Sequence, residues 1–99
     1  PLMPLPPRPL TEEERQRICS MLAAGMTRTS AAKYAGCRRS DLDAELKRDP
    51  EFKQRVRRNE LQPEVGAIRT LLAAGQDPKQ WRAAAWALER LYPRRYGPS

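Results

Sequence analysis

The residues of this chain with the chemistry to engage a partner are mostly cationic, and they cluster. Residues 28–58 hold ten bases and five acids, so five of the seven net positive charges fall in this stretch. Arginine dominates, 15 to 4 over lysine. A guanidinium bonds a phosphate, or O6 and N7 of guanine together, and bases massed this way displace counterions when they meet a polyanion. The same composition also fits a merely solvated surface, so charge alone leaves both readings open. Catalytic groups are lacking: there is no histidine, no Gly-rich phosphate loop and no nucleophile elbow, and the sequence predicts no enzyme. Cys19 and Cys37 cannot alone complete a four-ligand Cys/His zinc site, and both fit as small apolar side chains. Neither metal nor cofactor is expected.

Two elements must position these bases. The stretch Thr27–Arg48, TRTSAAKYAGCRRSDLDAELKR, reads as two short helices joined at Gly36-Cys37-Arg38, a helix-turn-helix. Ala31, Ala32 and Ala35 let the helices approach closely, and Gly36 tolerates a left-handed turn. Ser40 with Asp43 forms the expected cap of the second helix, and Leu42 and Leu46 define its inward face. Its outward face then carries Arg39, Asp43, Ala44 and Lys47, the side that would enter a major groove. Arg38 and Arg39 suit phosphate or guanine, while Arg28, Lys33 and Ser40 suit phosphates that fix the frame. Asp41 and Asp43 repel phosphate, although one Asp can accept from the cytosine amino group. An alpha-alpha corner serving only protein contacts is the alternative.

The flanking chain supplies support. Residues 1–10, with five prolines, read as a disordered tail. Thr11 and Glu14 form a capping-box pattern for a helix to about Ala24, with Ile18, Cys19, Met21 and Leu22 inward and Gly25 ending it. This helix completes an N-terminal three-helix unit over residues 11–49. Asp49-Pro50-Glu51 closes that unit and opens a long helix with an apolar stripe from Phe52 to Leu72, kinked or broken near Leu61 by Pro63. Within it Leu61, Val65, Ile68 and Leu72 form a seam spaced four, three and four, suited to helix pairing between chains or within one. Gly75-Gln76-Asp77-Pro78 marks a loop, and a C-terminal helix follows. Trp81, Ala84, Ala85, Leu88, Leu91 and Tyr92 share its broad face, with Trp86 at the edge. Leu61, Val65, Ile68, Leu72, Trp81 and Leu88 are the candidate oligomerisation residues. Residues 50–92 thus form an assembly and core region, and residues 93–99 a basic tail.

The order AAKYAGCRRSDLDAELKRDPEF, a long charged helix, then WRAAAWALERLYPRRYG resembles small helix-turn-helix proteins of the phage terminase small-subunit type. Asp49-Pro50-Glu51-Phe52 and the pattern from Ala84 to Tyr96 carry this resemblance, which spans about residues 11–97. It implies an all-α protein with an N-terminal unit that recognises viral double-stranded DNA for packaging. It also implies helices that assemble a homo-oligomer and engage a large-subunit ATPase. Where that family commonly has hydroxyls and an aromatic, this chain has Asp41, Asp43 and Glu45. A transcription-regulator or transposase-type DNA-binding domain, or a protein-interaction adaptor, carries similar patterns. No run approaches the ~18–20 apolar residues of a membrane span, and no start resembles a signal peptide. The expected setting is the cytoplasm of a bacterium or of a phage's bacterial host.

Overall fold

Residues 5–75 and 77–97 are described by a computed structural model. They form seven helical segments and, among the described residues, no strand: α1 (Glu12–Ala23), α2 (Arg28–Ala35), α3 (Arg39–Arg48), α4 (Pro50–Glu60), α5 (Gln62–Ala74), α6 (Pro78–Leu91) and α7 (Pro93–Tyr96). The chain divides into two compact units, Pro1–Leu61 and Gln62–Ser99. The boundary falls after α4, not before it. The expected three-helix unit therefore gains a fourth helix, because Phe52 and Val56, one turn apart, bury their side chains in the same core as α1 to α3.

Local chemistry sets the ends of the first four helices. Thr11 Oγ1 accepts from the Glu14 amide at 3.1 Å while Glu14 Oε1 accepts from the Thr11 amide at 3.0 Å, which starts α1 as expected. Thr27 caps α2, and Gly36 ends it with φ at 87°, a left-handed backbone that a side chain would strain. The start of α3 differs from expectation. Its cap residue is Arg38, and the Asp41 carboxylate accepts from the Arg38 amide at 2.9 Å, so Ser40 lies exposed inside the first turn. A guanidinium has no acceptor, so only this half of a capping box exists there. Asp49 accepts from the Glu51 and Phe52 amides, both at 3.1 Å, and Pro50 fills the first turn of α4.

Ile18, Cys19, Leu22, Ala31, Ala32, Ala35, Leu42, Leu46, Phe52 and Val56 form the core of this unit, and Leu10 joins them. The alanines let α2 pack closely between its neighbours. Each fully buried Ile, Leu, Val or Phe contributes roughly 1.5–3 kcal/mol. Residues 5–10, expected as a disordered tail, are instead a docked strap; residues 1–4 lie outside the described part. Arg15 ties α1 to two other helices. It meets Glu45 of α3 at 3.1 Å and Asp49 at 3.0 Å, with its guanidinium carbon 4.6 Å from the centroid of the Phe52 ring.

In the second unit α6 packs on α5, and α7 packs on α6. Asp77 caps α6, accepting from the Lys79 amide at 3.0 Å, with Pro78 in the first turn; Gln76 of the expected loop lies outside the described residues. Ala74, Ala84, Leu88 and Glu64 are buried. Glu64 accepts from Arg95 at 2.8 Å and from the Tyr96 hydroxyl at 2.7 Å, so part of the expected basic tail is a helical turn anchored by a buried acid. Both donors hold the Glu64 carboxyl below its ordinary value, the Tyr96 hydroxyl most strongly. Of the kink or break expected near Leu61, the structure has the break: the stretch is two helices, α4 and α5, separated at Leu61.

Candidate nucleic-acid interface

Helices α2, α3 and α4 enclose an open groove of about 390 Å³, lined by Arg28, Asp43, Leu46, Lys47, Lys53 and Arg57. Helical spacing explains the lining. Asp43 and Lys47 are one turn apart on α3, and Lys53 and Arg57 one turn apart on α4, on the flank next to the face that Phe52 and Val56 turn inward. Lys47, Lys53 and Arg57 are exposed and have no ion pair among the described residues. Three cations from two helices thus share one groove without internal neutralisation.

The other bases of the face are partly committed. Arg28 makes a bidentate pair with Glu60, at 2.7 and 2.8 Å, which joins α2 to the end of α4 and raises its pKa. Arg39 donates to Asp43 at 2.9 Å and to the Thr29 hydroxyl at 3.0 Å. Exposed pairs of this kind contribute roughly 0–1 kcal/mol, so a phosphate competes with Asp43 for Arg39 at little cost. Lys33 and Ser40 are exposed on α2 and α3 outside the groove lining, and Ala44 is half-buried.

Arg38 is the sequence candidate that the fold withdraws. Its guanidinium donates to Asp41 at 2.9 and 3.2 Å and to the carbonyls of Leu5 and Pro6 at 3.0 and 2.9 Å. Asp41 is 2% exposed, so it is not a phosphate-repelling acid on the outer face. Arg38 beside it, followed by the Arg38 amide, holds its carboxyl far below the usual range. Glu45 is buried as well, facing Arg15, Arg48 and the Leu10 amide. Asp41 and Glu45 are therefore interior acids, and of the three acids of α3 Asp43 alone lines the groove.

Sequence reasoning missed the interior acid set of Glu14, Asp41 and Glu45 and the linking role of Arg15. The local signal was incomplete: Leu10 is apolar and stands just before the Thr11 cap, but the position it would pack on in α1 is Arg15 and not an apolar residue. The candidate oligomerisation residues separate. Leu88 of α6 is buried within its own unit, Val65 and Ile68 are half-buried, and Leu61, Leu72 and Trp81 are exposed. No helix among the described residues is long and apolar enough to cross a membrane. Comparison with protein families, curated proteins and solved structures gives no significant match.

Proposed function

We propose that the first unit is a helix-turn-helix module that binds duplex DNA, mainly through backbone phosphates, with α2–turn–α3 as the motif and α4 as the second wall of its groove. The observation that carries this reading is the set of uncompensated cations, Lys47, Lys53 and Arg57, gathered with Arg28 in one open groove. Phosphates neutralise such a set and release counterions, whereas a protein partner would have to supply matching acids at fixed positions. Asp43 is the groove's single acid among the described residues, and with Arg38 engaged by Asp41 and the strap Arg39 is the main group left for a base edge. Affinity therefore exceeds sequence discrimination.

Within this reading, recognition of viral DNA for packaging, with a large-subunit ATPase as partner, is the narrower proposal and rests on the resemblance. Self-association through the second unit is supported by the exposure of Leu72 at 78% and of Trp81 at 52%. The DNA proposal is tested by titrating a labelled duplex at several salt concentrations. Binding is expected to weaken steeply with salt and to vanish in a Lys47→Glu, Lys53→Glu variant. Absent or salt-insensitive binding overturns it in favour of the adaptor.

A further inference from the structure

The strap of residues 5–10 contributes nothing to the groove, yet buried polar groups hold it in one register. Among its six residues only Leu5, Arg8 and Leu10 have an amide proton, the others being proline. Two of those three amides meet buried carboxylates. Arg8 donates to Asp41 Oδ1 at 3.1 Å and Leu10 to Glu45 Oε2 at 2.9 Å. The spacings match: two residues of extended chain advance about 6–7 Å, and Asp41 and Glu45 stand one helical turn, about 5.4 Å, apart on α3. A shift by one residue would set a proline nitrogen, with no proton, against an acid.

Side chains complete the fastening. Arg8 donates to both oxygens of Glu14 at 2.8 and 2.5 Å and to the Gly36 carbonyl at 3.4 Å, while Arg38 reaches back to the carbonyls of Leu5 and Pro6. Glu14, Asp41 and Glu45 are all under 10% exposed. A buried carboxylate that loses its donors is strongly disfavoured and must hydrate. Without the strap, Glu14 would lose its Arg8 partner, and Asp41 and Glu45 one donor each, keeping Arg38 and the pair Arg15 and Arg48 respectively. Negative charge would be less masked on α1 and α3, and α3 is the helix that carries Lys47.

We infer that residues 5–10 are a regulatory strap: seated, it masks three carboxylates and holds α3 in its polyanion-binding form, and its release weakens binding without touching a groove residue. The second half of this inference rests on the duplex-binding reading. Proteolysis of the strap, or a competing ligand for the acids, would act as an off-switch.

The test uses the intact chain and two variants. Amide hydrogen exchange in the intact chain should show the Arg8 and Leu10 amides at least about 100-fold slower than that of Leu5, as expected for bonds to interior groups. Equal rates at all three overturn the docking. A chain lacking residues 1–9 should keep its helical circular dichroism and its salt slope but bind duplex about tenfold more weakly, as expected where Glu14 and Asp41 lose the donors of Arg8 and face a polyanion. Unchanged or tighter binding overturns the coupling. Should the truncated chain fail to fold, Arg8→Pro in the full chain removes the Asp41 donor and the Glu14 partner together. It is expected to weaken binding about threefold, and unchanged affinity overturns the coupling again. If no form binds duplex, the DNA reading fails while hydrogen exchange still decides the strap.

Discussion

Replacing Lys47, Lys53 and Arg57 together by alanine measures how much of the affinity the groove supplies. Each phosphate contact with B-DNA contributes about 0.9 to the slope of log affinity against log salt. Three uncompensated cations line the groove, so the slope should fall by about 2.7. Between 50 and 200 mM salt, a fourfold change, one contact alters affinity about 3.5-fold and three together about 40-fold. The intact chain should lose at least that factor over this range, and the triple variant about 40-fold less. Fluorescence anisotropy of a labelled duplex at four salt concentrations gives both slopes. A Lys79→Ala, Arg82→Ala variant in the second unit serves as control, with a slope change expected below about 0.5. A triple variant whose slope falls by less than one, or by no more than the control, would refute the assignment of phosphate contacts to this groove.

Three further outcomes follow from the geometry. Arg8 first, then the Thr11 amide, lower the Glu14 pKa from 4.5 to about 2; a carboxyl lowered on folding stabilises fully above its unfolded value and loses that contribution as pH falls through the folded one. The melting temperature should therefore drop between about pH 4.5 and 2, and less steeply in Arg8→Met; parallel curves for the two proteins would contradict this. Gly36→Ala meets no atom within 4 Å but must hold φ near 87°, so it should cost about 1–2 kcal/mol by chemical denaturation, and a neutral result would exclude backbone strain at the turn. Leu72→Asp should reduce the mass measured by light scattering at tens of micromolar if the exposed face joins copies, and an unchanged mass counts against that surface.

Much of the first unit was legible because its signals are local. The Thr11 and Glu14 capping box, the Gly36 turn and the Asp49-Pro50 joint each lie within four residues. The strap was not legible, because its partners are distant: Arg8 meets Asp41 and Leu10 meets Glu45, separations of 33 and 35 residues. Proline content correctly excluded a helix there, but the absence of helix does not entail the absence of docking. The stripe from Phe52 to Leu72 was legible in part. Pro63 pointed to a kink or break near Leu61, but nothing local showed that the two helices belong to different units. At the candidate site, helical spacing located Asp43 and Lys47, whereas the withdrawal of Arg38 depended on a buried carboxylate and two carbonyls of the strap.

The joint between α3 and α4 has a consequence for recognition. Asp49 ends one helix, since its amide donates to the Glu45 carbonyl at 2.9 Å, and begins the next, since its carboxylate caps α4; the same carboxylate receives Arg15. A connector of one residue, fixed on three sides, leaves no slack. The separation between the backbones of Lys47 on one side and Lys53 on the other is thus fixed, while their exposed ammonium groups keep the freedom of their stems. Under the proposed duplex binding, the joint sets the two roots from which the groove's lysines reach and leaves their final adjustment to rotamers. A single glycine inserted after Asp49 would loosen those roots while leaving the number of charges unchanged.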